Sequence, residues 1–144
     1  MLSPAHLRDL ETFAGYMIPA SAHYGVPGAD DPAIFADIAR SLERDTDDVA
    51  AALERLAGIG GKPFADLAAD ARRGVADAFR AEGGPALTAL IRVILLCYYR
   101  DDRVMRSLGQ EPRPPFPKGH VVEQGDWSLL DPVRRRAPFF RKVP

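Results

Sequence analysis

Cysteine is nearly absent. Cys97 stands alone, which excludes an internal disulfide and every CxxC or zinc-finger spacing. Histidine is almost as scarce: His6, His23 and His120 lie far apart, with no HxxxH or HExxH spacing, so no metal site is expected. Neither GxGxxG nor the GxxxxGK phosphate loop occurs, and no GxSxG elbow marks a hydrolase nucleophile. Long apolar runs are missing too. The longest strongly apolar stretch, residues 86–99, is interrupted by Thr88 and Arg92 and is too short to span a bilayer, so no membrane insertion is expected. The formal net charge is −1, and the absence of a dominant sign argues against a general nucleic-acid or membrane-surface binder. The N-terminus shows neither a basic-plus-apolar signal nor a twin-arginine pair. A cytoplasmic location is therefore expected, with a periplasmic one open if a leader has been removed or a partner carries the export signal. Alternation of period two of useful length is wanting as well, Gly119 to Val122 excepted, which leaves helix as the expected element.

What is present reads as helices between strong stop signals. At 144 residues, with 47% hydrophobic and 27% charged residues, the chain fits one soluble globular domain. Ser3-Pro4 pairs an N-cap with proline at the first helical position, and Leu7, Leu10, Ala14 and Met17 follow at helical spacing until Pro19. A glycine- and proline-bearing loop then leads to Asp31-Pro32, which opens a second helix with Ile34, Phe35, Ile38 and Leu42 on its apolar face. Asp45 or Thr46 is placed to cap a third helix, buried along Val49, Leu53 and Leu56 and ended by Gly58 to Gly61. A fourth amphipathic segment begins at Phe64 and Leu67 and runs through Ala71, Val75 and Phe79. The fifth, from about Pro85 to Tyr99, is apolar nearly all round, so it is expected to be the central, most buried helix, with Cys97 an inert thiol inside it. A short sixth from Asp101 to Ser107 places Gly109 at its C′ position. The expectation is an all-α fold: a single compact domain of about five helices plus a short sixth, residues 1–109, followed by an extended arm.

The acidic pairs Asp30-Asp31, Asp47-Asp48 and Asp101-Asp102 sit at expected helix starts, where capping and dipole compensation explain them without a catalytic dyad. No catalytic residue is expected. Two clusters remain. Tyr98-Tyr99-Arg100-Asp101-Asp102-Arg103 mixes phenols, guanidinium groups and carboxylates where the fifth helix emerges. It reads either as a buried polar lock or as a recognition patch, since Tyr and Arg are favoured interface anchors. The loop carrying His23 and Tyr24 sets an imidazole and a phenol beside glycines, so it either lines a pocket or packs beneath the arm. His23, Tyr24, Tyr98, Tyr99, Arg100 and Asp101 are thus the candidate pocket or lock.

Residues 110–144 differ from the rest. They hold seven of thirteen prolines and no stretch that reads as a helix, yet carry Phe116, Trp127, Leu129, Leu130, Phe139 and Phe140. Disordered tails are poor in aromatics, and a compact domain rarely keeps so long a structureless segment unless it binds something. The segment is basic, seven Lys or Arg against four Asp or Glu, a net of +3 that leaves −4 on residues 1–109. At ~3.1 Å per residue such a chain reaches about 100 Å, against a radius of gyration of roughly 13 Å for the helical part. It is expected to bind a protein through those six apolar residues, with Arg134 and Arg135 beside them.

In order and spacing, four stretches resemble the gluconate 2-dehydrogenase subunit 3 family: ETFAGYMIPAS at residues 11–21, YGVPGADDPAIFADI at 24–38, GGKPFADL at 60–67 and ILLCYYRDDRVMRSLG at 94–109. The resemblance covers roughly residues 5–109 and leaves the C-terminal segment aside. It implies a small non-catalytic subunit of a hetero-oligomer, with no cofactor of its own. Its partner is then a large FAD-dependent dehydrogenase subunit of the glucose–methanol–choline type, acting on sugars or related alcohols, which the small subunit stabilises or helps mature. The family's exported members carry a twin-arginine leader, and the Met1 start here has none, which favours a stabilising or assembly role. Two other readings stand beside it: a stand-alone enzyme or small-ligand-binding protein with the arm as a lid, and a helical adaptor.

Overall fold

The computed structural model describes residues 2–137; Phe139 and Phe140 lie outside that range. Among the described residues the fold is all-α, with seven helices and no strand. The helices are α1 Pro4–Met17, α2 Pro32–Arg40, α3 Thr46–Gly60, α4 Ala69–Glu82, α5 Pro85–Arg100, α6 Asp102–Ser107 and α7 Asp131–Arg134. The chain divides into two compact units, Met1–Pro112 and Arg113–Pro144.

Local chemistry accounts for the helix ends in the first unit. The Ser3 hydroxyl accepts from the His6 N–H at 3.1 Å, and the Asp31 carboxylate accepts from Ala33 and Ile34, each with proline just inside the helix. Gly61, at φ +69°, ends α3 in the left-handed conformation, and Gly109, at φ +72°, does the same after α6. Asp45 stands at the N-cap of α3 without capping it; its carboxylate is held instead by Arg92 of α5 at 2.6 Å. The expected fourth segment is broken in two. Phe64–Asp66 forms a 3-10 turn, Leu67 is extended, and α4 begins only at Ala69.

That 3-10 turn is held by α1. The Asp9 carboxylate, buried, accepts from the Ala65 N–H at 2.9 Å, and Arg8 pairs with Asp66. Phe64 is thereby seated against Phe13 and Tyr16, with ring centroids 5.4 and 5.8 Å apart in edge-on geometry. The core joins Leu10 and Phe13 of α1, Ile34 and Ile38 of α2, Leu53 and Leu56 of α3, Phe79 of α4 and Leu90, Val93 and Ile94 of α5. Each such side chain stabilises the fold by ~1.5–3 kcal/mol.

Helix α5 packs chiefly on α3 and also on α2 and α6, yet it is not buried all round. Leu95, Leu96 and Tyr99 are 37, 61 and 53% exposed. A body with so few helices covers one side of α5 and leaves the other to solvent. No single helix among the described residues is long and apolar enough to cross a membrane; α4 and α5 pass that test only as a pair, bent by 118° at their junction.

The second unit departs from the expectation of no helix. Trp127–Leu130 makes a 3-10 turn that runs into α7. Asp126 nucleates it by accepting from the Ser128 N–H at 3.0 Å, and Pro132 supplies a preset φ at the start of α7. A separate turn spans residues 116–118.

Candidate functional site

The exit of α5 builds the first candidate. Successive residues on a helix point about 100° apart, so Tyr98 and Tyr99 diverge. Tyr98 turns inward and donates from its hydroxyl to the Pro27 carbonyl at 3.1 Å, and burial pushes its phenol up. Tyr99 stays in solvent, its ring edge-on to Tyr98 at 5.3 Å. Arg100 turns toward α2, its Nε donating to the Asp37 carboxylate at 2.6 Å. Asp101 ends α5 and caps α6, accepting from the Arg103 N–H at 2.9 Å.

Arg103 is the centre of the network. Its guanidinium reaches Asp31 at 2.8 and 3.1 Å and Asp101 at 3.0 Å. One side chain therefore ties the N-terminus of α2 to the N-terminus of α6. The Arg103 hydrogen bonds hold the Asp31 and Asp101 carboxyls below the usual range, and Arg100 does the same for Asp37. Carboxylates fixed in the ionised form by arginine are poor general acids. Arg100 and Asp101 are both occupied by internal partners, though Arg100 is exposed and not buried.

Tyr24 is brought to the same place by a constrained loop. Ser21 and Val26 exchange backbone hydrogen bonds at 3.0 and 3.1 Å, and the Ala29 N–H donates to Ile18 O at 2.9 Å. At Gly28 a Cβ would meet Ala20 N at 2.9 Å and Ile18 O at 3.2 Å, so only glycine lets the two limbs of the loop approach. A cleft of ≈220 Å³ results. Val26, Tyr98 and Val104 form its deeper wall, and Tyr24, Tyr99 and Leu108 its exposed rim. Of the six candidates named from the sequence, the structure brings Tyr24, Tyr98 and Tyr99 together here. His23 stacks edge-on against Tyr24 at 4.7 Å, exposed and away from the lining.

The outer face of α5 is a second feature, and sequence reasoning missed it. Thr88, Ile91, Arg92, Leu95 and Leu96 line a shallow, mostly apolar depression of ≈450 Å³. Leu87 and Ile91 continue it into a cleft of ≈410 Å³ beside Phe13, Met17 and Phe79. The available signal was the surplus of apolar residues on α5: a helix with one buried face needs fewer.

In the second unit Phe116, Trp127, Leu129 and Leu130 are 85, 60, 74 and 41% exposed. Trp127 donates from its indole N–H to Gln124 at 3.4 Å, and Arg134 pairs with Asp131 at 3.4 Å. Arg135 is exposed. Phe139 and Phe140 lie outside the described residues. No group of three or more His, Cys, Asp or Glu that would hold a metal ion occurs among the described residues. No protein-family model, curated protein or solved structure matches this chain.

Proposed function

We propose that this chain is a non-catalytic small subunit that binds a large FAD-dependent dehydrogenase acting on sugars or related alcohols, stabilising it or helping it mature. The family resemblance of residues 5–109 suggests the partner. The observation that carries a binding role is the exposure of large apolar side chains along residues 116–133, Trp127 and Leu129 foremost. Such a concentration of exposed rings and leucines marks an interaction surface.

In this reading residues 110–144 serve as a long arm that closes on the companion, and FAD belongs to the companion alone. Burying one ring contributes ~1.5–3 kcal/mol, and prolines lower the entropy lost when the arm is ordered. The basic character of the arm adds a weak, salt-screened preference for an acidic surface.

The test is co-expression with the companion flavoprotein, affinity capture of the small chain and an absorbance spectrum of the captured material. A flavin band is expected with the full chain and is expected to vanish when residues 111–144 are deleted, with helicity kept. Capture unchanged by that deletion would overturn the arm's role. The tyrosine cleft favours one alternative, a small-ligand-binding protein with the arm as lid. At ≈220 Å³, however, it falls below the ~300–1,000 Å³ of ordinary ligand pockets. Stoichiometric ligand binding or turnover by the purified chain without any flavoprotein would favour that alternative, and equal capture of unrelated proteins would favour an adaptor.

A further inference from the structure

Among the described residues of the first unit, every arginine but one is ion-paired. Arg72 of α4 is the exception. Its Nη2 donates to Ala65 O at 3.1 Å, its guanidinium carbon lies 5.8 Å from the centre of the Phe64 ring, and its buried Nε has no partner. The side chain is therefore fixed in place. One hydrogen of Nη2 and both of Nη1 are left over, the end of the fork that grips a carboxylate.

Two carboxylates line the same cleft as Arg72, a space of ≈470 Å³ beside α1. Among the described residues neither Asp30 nor Glu11 accepts a hydrogen bond or joins an ion pair. Asp30 is seated there by glycine. A Cβ at Gly15 would lie 2.5 Å from its Oδ2, and one at Gly28 would collide with its Oδ1, so the carboxylate occupies room that two missing side chains leave. Glu11 stands one turn before Gly15 on α1, on the same face. The Thr12 hydroxyl donates to Arg8 O at 2.9 Å and answers neither of them.

A cleft that holds a guanidinium and two carboxylates without pairing them is complementary to a molecule carrying both signs. A simple anion is repelled by Asp30 and Glu11, and a simple amine leaves the Arg72 donors unmet. Two carboxylates against one guanidinium leave a net of −1, which favours a ligand of +1. We propose that this cleft binds a free basic amino acid, lysine or arginine, with its carboxylate on Arg72 and its cationic groups on Asp30 and Glu11. Its volume falls within the ~300–1,000 Å³ of ordinary ligand pockets. The site uses no residue of the tyrosine cleft or of the C-terminal segment, so its occupation adds a ligand to the proposed subunit and leaves that reading intact.

The experiment is isothermal titration of the purified full-length chain, without any flavoprotein, with L-lysine and with L-arginine. Binding of one molecule per chain is expected, with Kd below ~1 mM. Cadaverine, which is lysine without its carboxylate, should bind at least ten-fold more weakly, and L-glutamate should not bind. In Arg72→Met lysine should fall to the level of cadaverine. Asp30→Asn has the same size, so it keeps the fit between the two glycines, and should weaken lysine at least ten-fold; circular dichroism checks that both variants keep their helicity. Tyr99→Ala, in the tyrosine cleft, should bind lysine unchanged. Absence of saturable binding by both amino acids overturns the proposal. So does cadaverine bound as tightly as lysine, a preference for lysine that survives Arg72→Met, an Asp30→Asn variant of unchanged affinity, or binding lost in Tyr99→Ala, which would assign the ligand to the tyrosine cleft.

Discussion

Asp9 is the only buried charged residue among those described, and its place in the fold was hidden in the sequence. On α1 it sits between Arg8 and Leu10, a neighbourhood that reads as helix surface; its value lies in the Ala65 N–H across the chain. Asp9→Ala leaves that donor unpaired and should cost ~1–3 kcal/mol, read from urea unfolding at neutral pH. Phe64→Ala removes the ring on which Phe13 and Tyr16 converge and should cost ~3–5 kcal/mol by the same measurement. Cys97 is the opposite case, for its position inside an apolar helical run already implied the burial found, 1% exposed. Burial raises its thiol above the ordinary value, so the folded chain holds less thiolate than the unfolded one. A disulfide reagent at mildly alkaline pH should therefore label Cys97 slowly in buffer and rapidly in denaturant.

At the scale of elements, the junctions of α2 with α5 and α6 have a definite acid response. Asp31, Asp37 and Asp101 have folded-state pKa values below the ordinary 3.8. Their contribution to stability is complete above that value and is lost as pH falls through the depressed ones. Stability read from urea unfolding should therefore hold down to the ordinary carboxylate value and decline modestly only below it, as the depressed carboxyls take up protons. Arg103→Met removes the guanidinium that depresses Asp31 and Asp101, so the acid limb of the stability curve should become shallower while stability at neutral pH drops. The two faces of α5 separate in the same way. Leu90, fully buried, should cost ~2–5 kcal/mol on truncation to Ala, whereas Leu96→Ser should stay within about 0.5 kcal/mol. Pattern alone gave this helix its bounds and not its outer face, because exposed leucines and leucines in a core look alike in one dimension. Helix starts at Pro4, Pro32 and Pro85 were readable because proline and its neighbours act within a few residues. The break after Phe64–Asp66 was not, since it depends on α1.

For the whole molecule, composition anticipated an all-α fold, and the described residues are helical with no strand. The change of unit falls after Pro112, close to where proline density rises. The helical turns at 127–134 escaped notice because an element of four residues shows no period to read; its only local marks are Asp126 and Pro132. What carries binding in the proposed function is likewise a matter of exposure, and exposure is a property of the folded surface.

The placement of the aromatic residues has a practical result. All four tyrosines lie in the first unit and the single tryptophan, Trp127, lies in the second. Exciting at the red edge, where phenols do not absorb, makes the chain its own label: the emission comes from one indole, 60% exposed to water. A shift to the blue on adding a companion protein would signal that this indole has gone into a drier environment, and iodide quenching would fall in step. An unchanged spectrum in a complex that still forms would place the contact elsewhere on the molecule.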